Sequence, residues 1–182
     1  PTPFFSDRGC HVRIRGIVSA LERKGVENIV CTYHHGRDVK EVETKRIFQI
    51  PGYTKREAGP SPFKYLADVA LFLKTLMVVW RINPDVIHGH LHEGTLIGWA
   101  VKNTFFWKEV VLVSDIQGSL VGELKSHGYF RGQSTLKKMF KKIEYHIYRL
   151  PDFIICSSSA SANILRSEFE VDSDRLEVIS DG

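Results

Sequence analysis

Short apolar runs alternate with longer amphipathic segments along this chain of 182 residues. The runs are rich in Val and Ile and show little polar alternation, which is typical of strands buried in a parallel sheet. They predict strands at residues 28–33, 46–50, 85–89, 110–114, 153–156 and 176–179.

The segments between these runs carry apolar residues at helical spacing. They predict helices at about residues 10–24, 62–81, 94–103, 136–149 and 159–168. Gly25 is a suitable C-terminal cap for the first helix, and Pro84 disfavours helix at Asn83 and so ends the second. Strands alternating with helices predict an α/β fold: one Rossmann-like domain over residues 1–182, with a doubly wound, mostly parallel sheet and helices on both faces.

Composition narrows the class of protein. Hydrophobic residues make up 43% and charged residues 25% of the chain, as in a soluble globular protein. A net charge of +4 is too small to indicate a nucleic-acid partner. The odd number of well separated cysteines predicts neither a disulfide framework nor a thiolate zinc site and favours the reducing cytoplasm. The longest apolar stretch, 63–80, is interrupted by two charged residues and predicts an amphipathic helix, not a membrane span.

Ligands of doubly wound sheets bind beyond the carboxyl ends of the strands, which ranks the candidate residues. Gly9 precedes the first helix, where a phosphate could approach backbone N–H groups and the positive end of the helix dipole. Arg8 could add a charged donor. No G-x-G-x-x-G fingerprint is present, and the alternative is a loop glycine beside an exposed arginine.

The segment "DVIHGHLHEG" (85–94) has histidines at every second position. On one strand His88 and His90 would point the same way, and His92 would continue the line only if the strand did. Gly89 and Gly94 suggest that the strand ends near His88. Three hypotheses remain: a metal site, a core histidine followed by a turn, or histidines that face a substrate. A zinc site needs three or four converging ligands, and no remote Cys or His cluster completes this one, so no metal is predicted.

Two further strand ends carry polar residues. Asp115 and Gln117 follow the strand at 110–114, where they could bind substrate hydroxyls or serve in a turn. Serines at 157–159 favour capping of the next helix, and no G-x-S-x-G elbow points to a hydrolase.

The amphipathic segment 134–150 gathers lysines on one side. Such a face is either solvated or meets an anionic membrane or a phosphorylated acceptor. The lysines are Lys137, Lys138, Lys141 and Lys142.

Four segments in this order resemble the N-terminal half of retaining glycosyltransferases of the GT-B fold, family 4. They are "PTPFFSDRGCHVRIRGIVSALERKG", "NPDVIHGHLHEG", "DFIICSSSASANIL" and "RLEVISDG". The second is similar to that family's Pro-Asp-Val-Ile-His-x-His segment, and the last to its Val-Ile-x-Asn-Gly exit into a second domain. The resemblance covers nearly the whole chain.

The resemblance implies two Rossmann-like domains, of which the second binds most of a nucleotide-sugar donor and the first shapes the acceptor site. The chain starts at Pro1 without a methionine and stops at Gly182 in an apolar run. We therefore expect a fragment that lacks the family's central first strand and its donor-binding domain. The fragment alone is expected to be inactive.

Carried over by position, Gly9 matches the second glycine of the loop that approaches the donor diphosphate, and Arg8 replaces the first. His90 matches the second histidine of the His-x-His segment, on the acceptor side, and we place His92 beside it at the edge of the cleft. Gln117 stands where many members have a histidine, and Asp115 where they have threonine. An amide does not titrate, so Gln117 could act only through hydrogen bonds.

The sequence thus predicts the acceptor-side domain of a retaining glycosyltransferase that moves a sugar from a nucleotide-sugar to an acceptor hydroxyl. It predicts no cofactor, a carbohydrate or lipid-linked acceptor, no nucleic acid, and a cytoplasmic protein that contacts membranes at most peripherally. A non-enzymatic nucleotide- or carbohydrate-binding module and a metal enzyme built on the three histidines are the alternatives.

Overall fold

The computed structural model describes residues 4–5, 9–53, 62–126 and 134–180. The chain divides into two compact units, Pro1–Asn83 and Pro84–Gly182. Each unit is described by itself.

The first unit is a pair of short parallel strands with two helices. Helix α1 (Gly9–Glu22) is followed by β1 (Val30–Thr32), β2 (Thr44–Arg46) and α2 (Pro62–Ile82). Helix α2 packs on both strands. A small core of Phe4, Phe5, Val18 and Val42 is almost fully buried.

The second unit contains a four-stranded parallel sheet in the order β3-β4-β5-β6. Its elements are β3 (Val86–His90), α3 (Leu91–Thr104), β4 (Val111–Ile116), α4 (Leu120–Ser126), α5 (Ser134–Ile147), β5 (Phe153–Cys156), α6 (Ser159–Phe169) and β6 (Leu176–Val178). Helix α3 packs on β3 and β4, and α6 packs on β5 and β6. A larger core lies between the sheet and its helices, around Ile154, Leu165 and Phe169.

The predicted α/β class with parallel pairing is confirmed, since every strand pair in the described residues is parallel. The described strands form two sheets, of two and four strands. Each predicted strand and helix corresponds to an observed one within a few residues. Helix α4, which was not predicted, begins only three residues after the Gln117 position.

The predicted end of β3 near His88 is wrong. The strand continues to His90, which pairs with Asp115 of β4. Gly89 does not end the strand. Because it has no side chain, it allows α3 to approach the strand closely. A Cβ at Gly89 would lie 2.7–2.8 Å from backbone atoms of Gly94 and Thr95, so the first turn of α3 rests against the strand itself.

No helix among the described residues is long and apolar enough to cross a membrane. Helix α2, which contains the longest apolar stretch, instead buries Ala67, Ala70 and Leu71 against the first unit's strands.

Candidate functional site

Three of the predicted site residues meet at the carboxyl ends of β3 and β4. His90 is the last residue of β3, and its register partner in β4 is Asp115. The Nδ1 atom of His90 lies 3.1 Å from Oδ2 of Asp115, and Nε2 of Gln117 donates to the same oxygen at 2.9 Å. Parallel pairing puts both strand ends at one edge of the sheet, which is where ligands of such sheets bind.

This cluster is buried at Asp115 and partly accessible at His90. Asp115 is fully buried, whereas the His90 side chain keeps 17% of its surface exposed. An ionised carboxylate can only accept hydrogen bonds, so its bond to His90 places a hydrogen on Nδ1. The Nε2 atom of His90 is then left with a lone pair, which can accept a hydrogen bond or a proton from a ligand.

Contacts of neighbouring residues hold the same strand ends in place. The ring of His88 stacks on that of His90, with centroids 4.3 Å apart and an interplanar angle of 28°. The hydroxyls of Thr95 in α3 and Ser114 in β4, both fully buried, lie 2.6 Å apart. Helix α3 is thereby attached to β4 at the residue before Asp115.

His92 does not join this cluster. Leu91 between the two histidines has a left-handed backbone with φ of 61°, and His92 falls within the first turn of α3. Its side chain is 8% exposed and its Nε2 lies 3.1 Å from the hydroxyl of Tyr148. The chain turns away after His90, so His92 is buried in α3 and lies apart from the contact between His90 and Asp115.

A buried carboxylate that sequence reasoning missed lies beside His92. Glu144 of α5 is fully buried, and Oε1 of this residue accepts from the Tyr148 hydroxyl at 2.5 Å and lies 3.7 Å from Nε2 of His92. Burial alone would raise the pKa of Glu144, but the nearby His92 imidazole and hydrogen bonds from Tyr148 and Ser119 outweigh burial and lower it. Burial, followed by the Glu144 carboxylate, raises the pKa of Tyr148.

Glu144 and Tyr148 had a signal in the sequence. The apolar side of the amphipathic segment contains Phe140, Ile143 and Ile147, and Glu144 lies among them at helical spacing. A carboxylate on the apolar side of a helix is buried only when it has partners. The sequence shows a carboxylate on an apolar helix side, but its partners outside the α5 segment come from two other elements.

The predicted donor-side residues lie in the first unit. Gly9 is the first residue of α1 and is exposed, and a Cβ built there would meet nothing within 4 Å. Arg8 lies outside the described residues.

The serine-rich turn caps a helix, as predicted. The hydroxyl of Ser158 accepts from the backbone N–H of Ser161 at 3.1 Å, at the start of α6. It thereby provides an acceptor for one N–H group that the helix itself leaves unpaired.

The lysine-rich side of α5 is at the surface. Lys137, Lys138, Lys141 and Lys142 are exposed, and Lys141 pairs with Glu168 at 2.6 Å. An open cleft of about 280 Å³ lies between α5 and α6. It is lined by Lys138, Lys141, Lys142, Tyr145, Glu168 and Phe169.

Metal ligands do not cluster in the part of the chain that the structure describes. No group of three or more His, Cys, Asp or Glu side chains there is arranged to hold a metal ion. His88 and His90 stack ring on ring, while His92 lies in the helix beyond them.

Comparison with known proteins identifies the family. The family model described as Glycosyltransferase Family 4 matches residues 8–182. No curated protein sequence matches the chain.

Two solved structures have a similar fold. One is the sucrose-phosphate synthase of Thermosynechococcus elongatus, with a TM-score of 0.70 and 14% sequence identity over 96% of this chain and 43% of that one. A second structure of sucrose-phosphate synthase from the same organism gives a TM-score of 0.63 and 13% identity, over 96% of this chain and 86% of that one. The chain therefore spans less than half the length of the first of these proteins.

The parallel α/β architecture agrees with these GT-B glycosyltransferase structures, and the family model covers nearly every residue. The chain belongs to Glycosyltransferase Family 4.

Proposed function

We propose that this chain is the acceptor-side domain of a retaining glycosyltransferase, which transfers a sugar from a nucleotide-sugar to an acceptor hydroxyl. The observation that carries the proposal is the contact between His90 and the fully buried Asp115 at the carboxyl ends of adjacent strands. Family membership supports the transferase chemistry. The proposal assigns donor binding to a second domain outside these 182 residues, so the 182-residue chain alone is expected to be inactive.

The geometry suggests a role for each residue. Asp115 holds the hydrogen on Nδ1 of His90, and Nε2 of His90 accepts a hydrogen bond from the acceptor hydroxyl. Gln117 donates its amide N–H to Asp115, which leaves its carbonyl oxygen to accept from a second hydroxyl. His92 does not contact the acceptor in this proposal, because its buried side chain is bound to Tyr148.

The donor side of the proposal depends on the start of α1. Gly9 would let the backbone approach the donor diphosphate, and Arg8 would add a positive charge. Helix dipoles and basic side chains can stabilise a leaving diphosphate, so no metal or other cofactor is required by the proposal.

Release of nucleotide from a panel of nucleotide-sugars by the full-length gene product tests the proposal. Asp115→Asn keeps the side-chain volume but removes the negative charge that stabilises the hydrogen on Nδ1 of His90. It should lower kcat/KM by about 100-fold or more, since positioned proton transfer contributes about 10²–10⁴-fold. The matched control Glu109→Gln, at an exposed residue of the same unit, should leave kcat/KM unchanged.

Two results would contradict this function. Full-length protein that turns over no donor, while the 182-residue chain binds a nucleotide or carbohydrate, would favour the non-enzymatic binding module. Wild-type activity in Asp115→Asn would remove His90 and Asp115 from the mechanism.

We further propose that the enzyme acts in the cytoplasm and touches anionic membranes through the lysine side of α5. Met139 and Ile143 on the apolar side of the same helix are 49% and 40% exposed, so α5 offers apolar surface as well as charge. Replacing Lys137, Lys138, Lys141 and Lys142 by serine should abolish cosedimentation with phosphatidylglycerol vesicles. Serine at Lys24 and Lys40, which are exposed in the first unit, should not. Binding that survives the fourfold change would exclude this surface.

A further inference from the structure

Glu144 has more hydrogen-bonding partners than a buried carboxylate needs for helix packing alone. Its Oε1 accepts from the backbone N–H of Leu120 at 2.8 Å and from the Tyr148 hydroxyl at 2.5 Å. Its Oε2 accepts from the hydroxyl of Ser119 at 3.2 Å and from the N–H of Val121 at 3.3 Å. The carboxylate thus holds the residues at which α4 begins.

Those residues are close in sequence to the cluster at the end of β4. Ser119 is two residues beyond Gln117, which itself donates to Asp115. Any displacement of the start of α4 is therefore transmitted through a single glycine, Gly118, to the residue that holds Asp115.

The same carboxylate also reaches the other half of the site. His92 is 3.7 Å from Glu144 and is bound to Tyr148, while His90, two residues earlier, is bound to Asp115. Of the two histidines where β3 meets α3, His90 is thus held by Asp115, and His92 is held by Tyr148, which itself donates to Glu144.

We propose that Glu144 is a positioning residue for the acceptor site: it fixes the β3–α3 and β4–α4 connections relative to each other, and thereby aligns His90 with Gln117. This inference rests on the proposed function of that site. It assigns no contact with substrate to Glu144, which acts through Ser119 and His92.

The charge and the shape of Glu144 both matter in this arrangement. Each carboxylate oxygen accepts from two donors. In Glu144→Gln one oxygen becomes an NH2 group, so the backbone N–H of Leu120 or of Val121 loses its acceptor and faces another donor, while the neighbouring hydroxyl can reorient to accept. The start of α4 can regain hydrogen bonds only by moving. Glu144→Asp keeps the charge on a shorter side chain and should restore part of the alignment.

The first readout is the tautomer of His90, observed in ¹⁵N–¹H spectra of the imidazole nitrogens of the whole 182-residue chain. The wild type should show hydrogen on Nδ1. Glu144→Gln should shift the His90 signals towards a mixture of tautomers, and Glu144→Asp should return them partly. Glu109→Gln is the matched control and should leave them unchanged.

The second readout separates binding from turnover in the full-length gene product. Glu144→Gln should raise KM for the acceptor by about ten- to a hundred-fold, the cost of a displaced binding group, while KM for the donor stays within about two-fold. Lower thermal stability with unchanged His90 signals and unchanged acceptor KM would overturn the proposal, because Glu144 would then only hold helices together.

Tyr148→Phe keeps the test decisive if Glu144→Gln does not fold. It removes one donor from the carboxylate and one partner from His92 at nearly constant volume, so the same changes should follow with smaller size. No change in the His90 signals of Tyr148→Phe would overturn the proposal. Absence of any transferase activity would refute the proposed function alone, since the His90 spectra report the alignment without turnover.

Discussion

Replacing Gly89 by alanine tests how closely α3 rests on β3. A Cβ at residue 89 would lie 2.7 Å from the carbonyl oxygen of Gly94 and 2.8 Å from the backbone nitrogen of Thr95. Ordinary contact begins at 3.4 Å, so the first turn of α3 would have to move by about 0.7 Å. The obstructing atoms are backbone, and no side-chain rotation can make room.

The energetic cost follows from this displacement. Overpacking a well-packed core costs about 1–3 kcal/mol, and the lower flexibility of alanine in the unfolded chain returns at most about 1 kcal/mol. A net loss of about 1.5 kcal/mol in the free energy of unfolding is expected, which lowers Tm by about 3–6 °C for a chain of this length. His90 should also be displaced from Asp115, because it follows Gly89 directly.

Thermal and urea denaturation of the 182-residue chain measure this effect. Gly118→Ala is the matched control: it makes the same chemical change in the same unit, but a Cβ there meets nothing within 4 Å, so Tm should stay within about 2 °C of wild type. Equal stability of Gly89→Ala and Gly118→Ala would refute the close approach of α3 to β3.

Three further expectations concern stability. Burial and the neighbouring His35 lower the pKa of His34 below 6.5, so the unfolded chain takes up a proton on this residue first as the pH falls. The free energy of unfolding should therefore decline below about pH 6.5. The denaturation midpoints of His34→Gln should show a weaker decline. Ser158→Ala should lower the free energy of unfolding by about 1 kcal/mol in urea titrations, because α6 loses its N-terminal cap; a loss near zero would contradict the capping role. Burial alone would raise the pKa of Asp152, but hydrogen bonds, of which that from Lys102 is the largest, lower it below 3.8. The stability that this carboxylate adds is present above that pH and is lost as the pH falls through its pKa in the folded state. The loss in free energy of unfolding of Asp152→Asn, measured at pH 7, should therefore shrink in acid.

The strand and helix pattern was readable from sequence because apolar periodicity reports which positions face a core. Strand β5 begins and ends where the apolar run predicted. Strand β3 was predicted at 85–89 and spans 86–90, so its end was placed one residue too early, because Gly89 was interpreted as the end of a strand. Glycine in a strand marks either an end or a close approach, and only the position of α3 distinguishes them.

For the predicted acceptor site, the sequence identified residues but not the contacts between them. His90, Asp115 and Gln117 could be nominated from sequence, since each follows a predicted strand and strand ends share one edge of a parallel sheet. Their contacts, and the departure of His92 into α3, depend on backbone turns that residue types alone do not fix.

Sequence by itself determined the parallel α/β class and the family, because hydrophobic periodicity and short motifs are local properties of the chain. Tertiary structure alone decided which buried groups face each other. Glu144 and Tyr148 share the α5 segment, but His92 in α3 and Ser119 before α4 meet them only when the sheet and helices pack. A buried charge is tolerated only where such packing supplies its partners, so the position of Glu144 is a property of the fold, while its presence on an apolar helix face is a property of the sequence.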